Sequence, residues 1–180
     1  MSVVVGALRI NRPECTSLAE SLASCGFAII RRLDPDLPSI KIIERLGLVD
    51  TVEGLNAVQA LVPHDLHEAP PNTYSGNFGT SDFPLHTDLA HWASPPRYLA
   101  LRCVSGSSTV ATRLLDSKAL VAKFGIEPLR MALVQPRRPM RNGKQLLRLL
   151  ERPATASSYL MRWDSIYLRP ATKLATDVFT

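Results

Sequence analysis

The sequence predicts an α+β domain, with helices early and short antiparallel strands in the second half. Two patterns carry this reading. Apolar residues recur at helical spacing in two early segments and again near the end, and between them run brief apolar stretches broken by Pro, Gly, Asn and Ser. A third observation bounds the class. With 180 residues, 46% hydrophobic, 21% charged, 14 Pro and 9 Gly, the chain has the size and composition of one globular domain, 1–180, and collagen, coiled coil and wholesale disorder are excluded. Such a chain buries roughly two thirds of the surface its unfolded form exposes, so a metal site would be there for function and not for folding.

The elements follow in order. PECTSLAESLAS, Pro13 to Ser24, suits a helix with Leu18, Leu22 and Cys25 on one stripe and Gly26 as its stop. FAIIRRL reads as a buried strand, and Leu37 to Leu46 as a second helix with Ile40, Ile43 and Leu46 on one face and Gly47 at its end. Residues 55–62 read as a strand cut short by Pro63. From Pro63 to Pro84, Pro, Gly, Asn, Ser and His dominate, and a loop that long in a compact domain is expected to cover a site. RYLALRCV (97–104) alternates, with Tyr98, Ala100, Arg102 and Val104 on one side; with the turn at Gly106 to Ser108 and the strand TVATRLLD it makes a hairpin. Lys118 to Phe124 fits a short helix, 129–135, 145–150 and SYLMRW fit strands, and ATKLATDVF begins a helix. The basic run from Pro136 to Lys144 reads as a solvated hairpin turn at an Asn-Gly dipeptide.

Charge and histidine are unevenly spread. Residues 1–96 hold 6 Lys and Arg against 11 Asp and Glu, whereas residues 97–180 hold 15 against 5. All four histidines, His64, His67, His86 and His91, lie in the acidic part. The three cysteines (Cys15, Cys25, Cys103) lie far apart with no CxxC pair, against a disulfide framework or a Cys-rich zinc site, and read as small buried or half-buried side chains. No apolar run reaches the ~20 residues of a membrane span and no leader pattern opens the chain, so a cytoplasmic location is the expectation. The basic second half lacks interleaved aromatics, which argues against a nucleic-acid partner.

The chemistry is concentrated in Phe83-Pro84-Leu85-His86-Thr87-Asp88. In an extended segment residues i and i+2 project from one face, so the His86 imidazole and the Asp88 carboxylate point to one spot, a donor pair suited to a borderline divalent ion. The histidines of PHDLHEAP, His64 and His67, sit in a Pro-flanked loop with no rigid spacing and read as exposed. His91, three residues beyond Asp88, falls on the opposite face of a strand unless a sharp turn returns it.

The stretch NTYSGNFGTSDFPLHTDLAHWASPPRYLALRCVSGSST resembles the taurine dioxygenase (TauD/TfdA) family of Fe(II)/2-oxoglutarate-dependent dioxygenases. The elements shared are His86-Thr87-Asp88, Pro95-Pro96, the segment Arg97 to Val104 and the turn Gly106-Ser107-Ser108-Thr109. CGFAIIRRL, IERLG and SYLMRWDSIYL extend the likeness on either side. The resemblance implies a double-stranded β-helix, the jelly-roll of clavaminate synthase-like enzymes, flanked by N-terminal helices. It implies Fe(II) held by His86 and Asp88, and 2-oxoglutarate as co-substrate with a carboxylate on Thr109. It also implies oxidation of a small-molecule substrate by O2 with decarboxylation of 2-oxoglutarate to succinate. Tyr74, Asn72 and Asn77 in the covering loop are the candidate substrate contacts.

The family's third ligand, a distant His after a Gly-Asp turn, has no counterpart, because no His follows His91. The Arg beyond it, which binds the far carboxylate of 2-oxoglutarate, has none either; Arg162 and Arg169 precede that place. The expectation is therefore a domain incomplete at its C-terminus, with an exposed sheet edge that pairs with another chain. Three readings follow: a fragment of a dioxygenase, a non-catalytic relative serving as a binding module, or an enzyme that borrows its last ligand from water or a partner chain.

Overall fold

The computed structural model describes residues 7–9, 16–50, 54–106, 108–138, 140, 143–152 and 159–180. It is a mixture of short helices and small antiparallel sheets, and no closed barrel forms among the described residues. The chain falls into two compact units, residues 1–63 with 96–111, and residues 64–95 with 112–180. Among the described residues, no helix is long and apolar enough to cross a membrane.

The first unit contains β1 (Ala7–Arg9), α1 (Thr16–Cys25), α2 (Ser39–Leu46) and β2 (Leu48–Asp50), with β1 antiparallel to β2 in the register Leu8 to Val49. Gly26, at φ +78°, ends α1 by donating its N–H to the Leu22 carbonyl at 3.0 Å. The amphipathic face of α2 buries Ile42 and Ile43, and Ile43 packs with Leu46, Val49, Val58, Tyr98 and Ala100. Arg102 donates to the carbonyls of Leu37 at 2.7 Å and Pro35 at 2.9 Å, so residues 97–104 close over the entry to α2.

This unit departs from the sequence expectation in its strands. FAIIRRL joins no ladder: Arg32 takes φ +58°, which breaks an extended path, and Ile29 is 69% exposed. Residues 55–62 and 97–104 also stay outside any sheet. The alternation at 97–104 is met only in part: Tyr98 and Ala100 turn into the core and Arg102 to the loop ahead of α2, but Val104 on the same side is 61% exposed. Among the described residues, no second strand pairs with it. Residues 109–116, the last five of which belong to the second unit, are irregular, with Val110 and Leu114 exposed, so the expected hairpin does not form among the described residues. Cys25 and Cys103 are exposed and not buried, while Cys15 lies outside the described residues.

The second unit holds α3 (Tyr74–Phe78), α4 (Lys118–Phe124), α5 (Ile126–Met131), β3 (Leu133–Pro136), β4 (Leu147–Arg148), β5 (Leu150–Glu151), β6 (Leu160–Met161), β7 (Leu168–Pro170) and α6 (Lys173–Phe179). Strand β3 is central, flanked by antiparallel β4 and β7, with Val134 facing Leu147 on one side and Pro170 on the other. The pair β5 and β6 forms a second ladder. Leu129, Val134, Leu149, Leu150 and Leu168 are almost wholly buried between these strands and helices α5 and α6. The strand expected over 129–135 starts only at Leu133, because Ile126 and Leu129 lie at i and i+3 and Pro128 falls in the first turn of α5, where a helix tolerates it. The basic run forms the predicted hairpin, closed by the Met140 and Gly143 bridge; Pro139, Arg141 and Asn142 lie outside the described residues.

Candidate functional site

The segment around the His-x-Asp motif is held by bonds to the distant Trp163, two residues past β6, rather than by a ladder of its own. Thr87, between the two candidate ligands, donates its backbone N–H to the Trp163 carbonyl at 2.6 Å and accepts the Trp163 N–H on its hydroxyl at 3.2 Å. Beyond Asp88 the chain turns sharply, with Leu89 at φ +55°, the Ala90 N–H bonded to the Thr87 carbonyl and the Trp92 N–H to that of Leu89. Arg162, 0% exposed, clamps this turn through the carbonyls of Ala90, Trp92 and Ala93, and its other partner is Glu151 at 2.9 Å.

Within this frame the two candidate ligands meet. His86 Nδ1 lies 2.8 Å from the Pro84 carbonyl, which makes it the protonated nitrogen and leaves Nε2 with its lone pair free. Nε2 is 3.7 Å from Asp88 Oδ1, beyond hydrogen-bond range but close enough for both atoms to reach one small cation. Burial disfavours the charged imidazole, but Asp88 and the Pro84 carbonyl outweigh it, and His86 titrates above its ordinary value.

The covering loop supplies the lid over His86. Thr73 caps α3 by accepting the Gly76 N–H at 3.0 Å, and Asn77 spends its amide on the carbonyls of Pro71 and Thr73. Gly76 is required where it stands: a Cβ there would lie 1.8 Å from the Pro70 carbonyl oxygen. Helix and loop thereby place the Tyr74 ring flat on the His86 imidazole, centroids 4.1 Å apart, with Phe83 at 5.4 Å and Tyr167 edge-on at 5.8 Å. The Tyr74 hydroxyl is enclosed without a hydrogen-bond partner, and burial, reinforced by the nearby Asp164 carboxylate, keeps its proton on far above the usual phenol range.

Asp164 is the residue the sequence reading missed. Only 1% exposed, it accepts the N–H groups of Ile166 and Tyr167 on one oxygen at 2.8 and 2.7 Å, and its charge acts on Tyr74, His86, His91 and Tyr167 alike. Its signal was an Asp followed at once by a turn, which marks a local cap and gives no hint of what surrounds it. On an extended strand His91 would fall on the face opposite Asp88. The turn after Asp88 instead brings its ring 5.1 Å from that of Tyr167, half-buried, with Nδ1 enclosed and unpartnered. His64 and His67 are exposed in the loop as expected.

Of the remaining candidates, Asn72 is exposed and lines a cavity with His91 and Tyr167, and Asn77 is engaged in holding the loop. Thr109 is an exposed residue of the first unit, whereas the other candidates belong to the second. Among the described residues, no group of three or more His, Cys, Asp and Glu side chains is placed to hold one metal ion. Comparisons with protein-family models, with curated proteins and with solved structures returned no match to this chain.

Proposed function

We propose that the chain is a dioxygenase domain of the taurine dioxygenase type, taking Fe(II) and 2-oxoglutarate and oxidising a small-molecule substrate in the cytoplasm on a double-stranded β-helix scaffold. The observation that carries the reading is the meeting of His86 Nε2 and Asp88 Oδ1, with Nδ1 already committed to a carbonyl as it is in most metal-ligating histidines. The donor set fits the metal as far as it goes: an imidazole and a carboxylate from neighbouring positions leave the other coordination sites open to water and co-substrate. When bound, the iron supplies the redox chemistry that couples decarboxylation of 2-oxoglutarate to oxidation of a substrate C–H bond by O2.

The chain's own residues then have separate tasks. Pro84 fixes the tautomer of His86, Thr87 and Trp163 fix the backbone between the ligands, and Tyr74 shields the imidazole from water. Thr109 is assigned to a carboxylate of 2-oxoglutarate, and Asn72, Tyr74 and Asn77 to the substrate side, on the resemblance. The test is anaerobic titration with Fe(II) and 2-oxoglutarate, followed by admission of O2 and assay of succinate. A visible charge-transfer band and succinate formation, both lost in His86→Ala and Asp88→Ala, are the expected results; a folded protein that binds no iron would sink the reading.

A second reading, a non-catalytic binding module, is favoured by the two-donor count among the described residues. It expects weak metal binding and no succinate at any iron concentration.

A further inference from the structure

The second unit contains a cavity of about 300 Å³ that neither His86 nor Asp88 lines. Its walls are unlike in chemistry. Met140, Ile166 and Pro136 give an apolar surface, while Arg137, Arg138 and Asn72 bring two cations and an amide to the same space. Both arginines are solvent-exposed, so their charges are held at the protein surface without a desolvation penalty. Arg137 is fixed in place: its backbone N–H donates to the Tyr167 carbonyl at 2.9 Å and its guanidinium to the Ser165 carbonyl at 3.3 Å. Arg138 carries its positive charge close to the Tyr167 hydroxyl.

His91 and Tyr167 line the same cavity, rings 5.1 Å apart. The enclosed Nδ1 of His91 has no partner in the protein, and an enclosed polar atom without one costs free energy until water or a ligand completes it. Burial holds His91 neutral, so its ring offers one N–H and one lone pair. The Asp164 carboxylate, the one negative group acting on both rings, is not among the lining residues and has one oxygen committed to two backbone N–H groups.

We propose that this cavity binds a small organic anion, its carboxylate or phosphate head held by Arg137 and Arg138 and its short apolar body lying against Met140 and Ile166. Planar guanidinium groups match either head group, and an apolar pocket with a few placed polar groups is the usual form of a small-molecule site. A cavity at the lower end of the usual volume range favours a ligand of modest size over a polymer. The site needs no metal, so it stands or falls independently of the dioxygenase reading.

The experiment is calorimetric titration of the metal-free protein with hexanoate, hexyl phosphate and the neutral hexanol. At least one of the two anions is expected to bind with a Kd of about 1 mM or tighter, and which of them is tighter identifies the head group. Hexanol is expected to bind about tenfold more weakly, and Arg138→Gln to weaken the anion about tenfold. Lys123→Gln, which removes a cation from α4, is expected to leave the affinity unchanged, and thermal melts confirm that each variant is folded. Equal binding of hexanol and the anions, or equal loss in the Lys123 and Arg138 variants, would overturn the proposal. So would no binding of either anion at about ten times that concentration, or an oligothymidylate that outcompetes hexyl phosphate.

Discussion

Arg162 brings a full charge into the interior of the second unit, and its hydrogen bonds to three carbonyls and a carboxylate are what make that tolerable. Truncation to Met would leave the carbonyls of Ala90, Trp92 and Ala93 without their shared donor. The expected loss is about 3–5 kcal/mol in urea unfolding, with little of it from Glu151, whose carboxylate is 39% exposed. The two half-buried histidines act in opposite directions on pH. For His86, whose folded pKa is raised, the contribution to stability is fully present below the ordinary value of 6.5 and is lost as pH rises through the folded value. For His91, whose folded pKa is lowered by burial, stability is full above 6.5 and is lost as pH falls through the folded value. His91→Phe is therefore expected to lose less stability than the native protein between about pH 7 and about pH 5, measured by denaturant unfolding at each pH. The pairing of His86 with Asp88 was legible from spacing alone, because i and i+2 share a side in any extended chain. Asp164 was not, since what gives it importance is the set of rings that Tyr74, His91 and Tyr167 bring to it from three separate segments.

At the level of elements, α1, α2, α4 and α6 were legible, whereas α3 and α5 stand where a loop and a strand were expected, and several expected strands do not form. Helices α2 and α4 follow from a local period and a local stop at Gly47 and Gly125, and α6 from a local period and the Thr172 cap, so their causes lie within their own sequence. A strand needs a partner, and among the described residues 27–33 and 97–104 have the composition without one. Two caps tie helices to their surroundings and are directly testable. Thr172 accepts the Ala175 N–H at the start of α6 and also the Leu133 N–H at the start of β3, at 3.3 and 3.1 Å. Thr172→Ala is expected to cost about 1–2 kcal/mol, at the upper end for a cap because two donors are orphaned, as read from the shift in denaturation midpoint. In α3, Gly76→Ala would force the helix off the Pro70 carbonyl and carry Tyr74 with it. The expected result is a loss of about 1–3 kcal/mol together with weaker Fe(II) binding, whereas Asn77→Ala, which removes two loop bonds but no close approach, costs less.

Among the described residues, burial is concentrated in the second unit. Val134, Leu149 and Leu168 are 0% exposed, whereas in the first unit Phe27, Ile29 and Val104 are all more than 40% exposed. Backbone amides of β3, Leu149 and Arg162 are therefore expected to exchange slowly with deuterium, and those of 27–33 quickly, as mass spectrometry of peptic peptides would resolve. The exposed apolar side chains give a second expectation: self-association that rises with protein concentration and falls when Ile29 and Leu114 are replaced by Lys, followed by sedimentation velocity. Composition announced a chain with enough apolar residues for a sizeable core, but not that they would be divided so unevenly.

The bonds from Thr87 to Trp163 also impose an order in time. The two residues are separated by 76 positions, and at a synthesis rate of about 5–20 residues per second the second follows the first by roughly 4–15 s. For that interval a growing chain contains both His86 and Asp88 but lacks Trp163, whose backbone groups fix the residue between them. If the proposed function holds, iron offered during synthesis would meet a loose pair of donors until residues 162 and 163 arrive.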